Sequence, residues 1–108
     1  MPQRTVRVLS VLALLLSLVA CERSEVHDVT LYTHCGIHEL QFEGQWYERA
    51  GGPLADGSGN PPPGWDNPEQ EGIVTRVDAS TLLFSDQARH REEFVLREGV
   101  TRPKQSCD

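Results

Sequence analysis

Gly72-Ile-Val-Thr-Arg-Val77, Asp78-Ala-Ser80, Thr81-Leu-Leu-Phe-Ser85, Asp86-Gln-Ala-Arg89 and His90-Arg-Glu-Glu-Phe-Val-Leu-Arg97 follow one another without a gap. The three longer pieces carry the β-branched and aromatic residues that suit a pleated surface, and the two short ones read as turns. Turn signals recurring at about 8–12 residues are the spacing of an all-β fold. Glu92-Glu93 allow a helical reading of 86–98, but Phe94-Val95-Leu96 are consecutive and fit no helical stripe. The segment is therefore expected to form a three-stranded meander.

Upstream, Val29-Thr-Leu-Tyr-Thr33 alternates as a strand does, and Cys35-Gly36 interrupts it. Ile37 to Phe42 resumes with Leu40 and Phe42 on one face. Glu43-Gly44 is an acidic-Gly turn signal, and Gln45-Trp-Tyr-Glu-Arg49 is the return strand of a hairpin. Hairpin and meander together predict about six short strands, barrel- or sandwich-like, within a single small domain over 29–108. Tyr32, Leu40, Phe42, Trp46 and Tyr47 are expected to supply much of the packing. Between the two units, residues 50–68 hold ten Gly or Pro among nineteen positions. Pro lacks a ladder donor and Gly weakens a strand, so this is a long loop. Leu54 and Trp65 indicate that it is ordered, as an Ω-like flap pinned by Trp65. Val100 to Asp108 is a tail that Cys107 is expected to tie back to the first hairpin.

The chain has 108 residues and a formal charge of −6. The first twenty residues contain two Arg and no acid, so residues 21–108 carry eight basic and sixteen acidic side chains. That balance excludes nucleic acid as a partner and polybasic docking on anionic lipid. Leu, Ile, Val and Phe number 17 in residues 21–108, at the edge of the range in which chains fail to fold. The aromatic residues and a cross-link favour a folded domain.

Arg4 and Arg7 precede Val8-Leu-Ser-Val-Leu-Ala-Leu-Leu-Leu-Ser-Leu-Val-Ala20, the pattern of a secretory signal helix over residues 1–20. The apolar run falls short of the roughly 20 residues that a spanning helix needs. Leu18-Val19-Ala20-Cys21 resembles the lipobox of bacterial lipoproteins. The resemblance implies cleavage before Cys21 and lipidation of its sulfur, which would anchor the protein on the extracytoplasmic face of the cell membrane. Two acyl chains hold stably where one is marginal. Residues 21–28 then read as a polar tether. Tyr32-Thr-His-Cys-Gly-Ile37, Phe42-Glu-Gly-Gln-Trp46 and the loop from Asp56 to Trp65 resemble a group of small uncharacterised exported proteins of actinobacteria. That resemblance carries no activity and no catalytic residue.

With Cys21 assigned to lipid, Cys35 and Cys107 remain, and an even pair in an exported domain favours a disulfide. The loop closed would span about 70 residues, worth roughly 4 kcal/mol by chain entropy. His34, Cys35 and His38 raise a metal site instead, but their spacing lacks a second thiolate pair or a helical His-x-x-x-His. No metal ligand and no cofactor is therefore assigned.

Asp56-Gly-Ser-Gly-Asn60 begins as a calcium loop does, yet Pro61 and Asn67 occupy the positions that need Gly and Glu, so a turn cluster is expected. Glu92 and Glu93 would point to opposite faces of a strand and read as solvated charge. His90, between Arg89 and Arg91, reads as a strand end. No nucleophile elbow, phosphate loop or dinucleotide fingerprint is present.

These readings lead to a lipid-anchored, non-enzymatic binding module with no assigned catalytic residue. Its candidate contact surface is Trp65 on the Gly/Pro loop, flanked by Trp46 and Tyr47. The alternative at Trp65 is a ring that packs down as the plug of its loop. A rival function is a metal-dependent or hydrolytic enzyme using His34 and His38 with nearby carboxylates, and a third is a structural envelope component.

Overall fold

The computed structural model describes residues 25–103. The expected signal helix 1–20, the lipidation residue Cys21 and the tail cysteine Cys107 lie outside them. Six strands follow in order: β1 (Val26–Tyr32), β2 (Glu39–Phe42), β3 (Gln45–Arg49), β4 (Glu69–Asp78), β5 (Thr81–Ser85) and β6 (Arg91–Leu96). All pair antiparallel in one sheet of order β1-β4-β5-β6-β3-β2. The sheet curls until its edges, β1 and β2, approach each other, so the architecture is an all-β, nearly closed barrel. The meander and the hairpin are as expected. They join through β6 and β3, and β1 closes on the other flank of β4.

Period-2 alternation builds the interior. Along β1, His27, Val29 and Leu31 face inward, opposite Val74, Gly72 and Gln70 of β4. Val74 and Arg76 stand opposite Phe84 and Leu82 of β5, and Leu82 opposite Phe94 of β6. Tyr47 lies between Leu96 and Leu40. The resulting core is Leu31, Ile37, Leu40, Phe42, Tyr47, Val74, Leu82, Phe84 and Phe94. A fully buried Phe or Leu contributes about 1.5–3 kcal/mol. A β-carbon at Gly72 would lie 2.5 Å from the Phe84 ring and 2.6 Å from the Ser85 carbonyl. Glycine in the middle of β4 is what lets that ring fill the barrel.

Two boundaries differ from the sequence reading. Strand β1 takes in Val26-His27-Asp28, which the reading placed in the tether, because these residues pair with Ile73–Thr75. His27 fills an inward position with its ring 5.2 Å from that of Phe42, so the alternation continues through a polar residue. Strand β4 begins at Glu69 and not at Gly72, with Gln70 buried.

The barrel has two unlike ends. One carries the Glu43-Gly44 and β4–β5 turns. Positive φ at both Glu43 (51°) and Gly44 (76°) is the type I′ geometry that matches strand twist. Arg76 caps this end, 5.8 Å above the Phe42 ring, with Glu25 at 3.4 Å and Glu43 at 3.8 Å. A hydrogen bond to the Tyr47 hydroxyl holds the Arg76 guanidinium above its ordinary pKa. The other end carries loop 50–68. This loop is tied down by reciprocal bonds between Ile37 and Leu54 (2.8 and 3.0 Å) and by the Cys35 amide donating to Gly59 (3.0 Å). The Pro68 carbonyl accepts from the amides of Thr33 (2.7 Å) and His34 (3.2 Å).

Candidate functional site

At the loop end, the β5–β6 turn folds so that Asp86 faces inward, its side chain 1% exposed. Its Oδ1 accepts the His90 backbone amide at 2.9 Å. Its Oδ2 lies 2.6 Å from His90 Nδ1 and accepts from Gln70 Nε2 at 2.9 Å. Gln70 is oriented in turn by the Asp66 amide, which donates to its Oε1 at 2.7 Å. Burial alone would raise the Asp86 pKa. The hydrogen bonds from the His90 side chain and backbone, with the attraction of the imidazole, outweigh it and hold the carboxyl below its usual range.

Trp65 completes the arrangement. Its ring stacks on His90 with centroids 3.7 Å apart and 19° between planes, and on Phe84 at 6.1 Å and 24°. The aromatic near the C-terminal end of the Gly/Pro loop is thus packed against the core. Beside it runs an open groove of about 860 Å³ along β1 and β4 towards the β5–β6 turn. Asp28, Asp66 and Glu71 line it with Gln70 and Ile73, and Asp86 borders it with its carboxylate already buried, so the groove is lined by acidic residues and no basic one.

The residues singled out by sequence separate. Trp46 and Tyr47 are neighbours on β3 and so point to opposite faces. Tyr47 is fully buried in the core and presents no contact area, which corrects its expected role in binding. Trp46 lies half-buried beside the Glu43-Gly44 turn, while Trp65 packs at the other end. The three aromatics do not form one surface. His38 Nε2 lies 2.7 Å from the Cys35 carbonyl, and the His34 ring meets the edge of Tyr32 at 6.3 Å. Neither imidazole joins a carboxylate cluster, and no group of three or more His, Cys, Asp or Glu able to hold a metal occurs among the described residues.

The Asp56 carboxylate is spent on its own turn, accepting from the amides of Ser58 (2.7 Å) and Asn60 (3.2 Å). Those bonds, the Ser58 amide first, lower its pKa. Glu92 is not solvated charge. It faces inward and holds Arg49 Nε at 2.9 Å, with both side chains under a fifth exposed. Arg49 also donates to the Gly52 carbonyl at 2.7 Å, linking the ion pair to the start of the loop.

Asp86, His90 and Gln70 escaped the sequence reading. The signal available was an acid four residues before a histidine across a turn, where a carboxylate can cap the later amide. No protein-family model, curated protein or solved structure matches the chain.

Proposed function

We propose that this protein is a lipid-anchored binding module on the extracytoplasmic face of the cell membrane, held through acyl chains on Cys21, with its ligand surface at the loop end of the barrel. The observation that carries the binding reading is the division of labour at that end. Asp86, Gln70 and His90 are consumed in mutual hydrogen bonds that pin Trp65, whereas the adjoining groove is open and lined by carboxylates. The contact surface therefore moves from Trp65, the plug, to the groove beside it. Such a groove suits a partner presenting amine or guanidinium groups. Titration calorimetry of the mature protein with lysine- and arginine-rich peptides tests this. Salt-sensitive binding that weakens in Asp28→Asn with Glu71→Gln supports it, and indifference to both substitutions counts against it.

A disulfide between Cys35 and Cys107 belongs to the same reading. Cys21 precedes Glu25 by four residues, a reach of about 14 Å, and β1 puts roughly 23 Å between its start and its end near Cys35. Cys21 is thus poorly placed to reach Cys35 and stays available for lipid. Arg97 Nη1 lies 3.5 Å from the Arg102 carbonyl and 3.0 Å from Glu39 Oε1, which holds the start of the tail against β2. Mass spectrometry of the mature protein reads cleavage, acylation and bridging together, and a free thiol at residue 35 would remove the bridge.

A further inference from the structure

The anchor and the barrel together define an orientation. Glu25 is docked on the turn end, where its carbonyl accepts the Arg76 amide at 3.2 Å and its carboxylate meets Arg76 Nε at 3.4 Å. Only three residues separate it from Cys21. A chain of that length spans about 14 Å at full extension, less than the roughly 23 Å run of β1. The loop end therefore cannot replace the turn end at the bilayer while Cys21 is embedded.

The surface of the turn end fits this placement. Val26, Val77 and Val95 are three of the four exposed large hydrophobic residues among the described residues, at 53%, 59% and 37%, the fourth being Tyr32 at the loop end. All three of these valines lie at this end: Val26 opens β1, Val77 is the last residue but one of β4, and Val95 pairs with Thr81 at the start of β5. Trp46 sits one residue past Gln45, at the turn into β3. Aliphatic side chains and a half-buried indole are what the headgroup–hydrocarbon boundary accepts, and Trp is enriched at that depth.

We infer that the turn end of the barrel rests on the lipid surface, with Trp46, Val26 and Val77 in the interfacial layer, that loop 50–68 is displayed about 20 Å further out, and that the acidic groove runs between them from Asp28 outward. This rests on the anchored reading of Cys21. It makes the bilayer a second partner of the folded domain and leaves the groove free for the first.

The two tryptophans stand at opposite ends and report the orientation directly. The mature acylated protein is reconstituted into phosphatidylcholine vesicles carrying brominated acyl chains, after flotation has established that it is membrane-bound. In Trp65→Phe, which retains Trp46, emission should lose most of its intensity on the brominated vesicles. In Trp46→Phe, which retains Trp65, it should be unchanged. Should Trp65→Phe fail to fold, wild type compared with Trp46→Phe isolates the contribution of Trp46. Equal quenching of the two rings, or stronger quenching of Trp65, in a protein that floats overturns the orientation while leaving the anchor intact. A protein that does not float overturns the anchor and the orientation with it.

Discussion

The Trp65 indole lies flat on the His90 imidazole, 3.7 Å between centroids, and His90 is fixed in that position by the buried Asp86 carboxylate 2.6 Å from its Nδ1. A loop half made of Gly and Pro thus takes its order from one turn of the neighbouring meander. Replacing His90 with Ala removes the stack and strips a buried carboxylate of a partner. A loss of about 2–4 kcal/mol is expected, together with a red shift of Trp65 emission as its ring meets water. Denaturant titration followed by fluorescence measures both. An emission spectrum unchanged in His90→Ala would show that the stack does not hold the indole.

Acid should act through the same carboxylate. Asp86 has a lowered pKa in the folded state, so the unfolded chain binds its proton more readily. Its contribution to stability is complete above the ordinary carboxylate value of about 3.9 and is lost as pH falls below that towards the lowered folded value. Stability measured from pH 6 down to pH 2 should therefore decline below about pH 4 in the wild type. In Asp86→Asn the curve should start lower and slope less over that window.

Two glycines give separable tests. Gly72→Ala places a methyl 2.5 Å from the Phe84 ring and 2.6 Å from a carbonyl that cannot move aside, for an expected cost of about 1–3 kcal/mol from overpacking. Gly44→Ala meets nothing within 4 Å, yet its φ of 76° costs an L-residue about 1 kcal/mol. In a Phe84→Leu background, itself less stable, the cost of Gly72→Ala should shrink while that of Gly44→Ala stays the same, which thermal unfolding of the single and double variants will read.

Glu43 occupies a left-handed position that Asn tolerates better. Glu43→Asn is expected to stabilise the protein by about 0.5 kcal/mol, since the exposed contact to Arg76 that it removes is worth little. A lower denaturation midpoint in this variant would show that the Arg76 contact outweighs the backbone gain.

How far the fold can be read from sequence follows from where its information is local. Thr81–Ser85 and the turns beside it announce themselves through composition, and Glu43-Gly44 through the one dipeptide feature its turn requires. Val26-His27-Asp28 carries no such mark. His27 takes an inward position because Phe42, fifteen residues away, offers it a ring. The polar residues facing inward at the barrel ends are equally silent. Arg49 finds Glu92 across 43 residues and Gln70 finds Asp86 across 16, and each looks like surface until its partner is known. Tyr47, expected both to pack and to flank the contact surface, belongs to the core alone for a related reason. Adjacent aromatics on a strand must take opposite faces, but the pattern does not say which of them is inside.

The partnership of β1 with β4 has a kinetic meaning as well. Strands β4 to β6 and the β2–β3 hairpin close over short stretches of chain, whereas Val26 must find Thr75, and Tyr47 must find Leu96, across most of the domain. Loop-closure entropy delays such a pairing, so the meander assembles early and the N-terminal strand arrives late. Until both long-range pairings form, the meander offers unsatisfied edges at β4 and β6 to any extended chain nearby, and the slowest moment of assembly is also the one most open to aggregation.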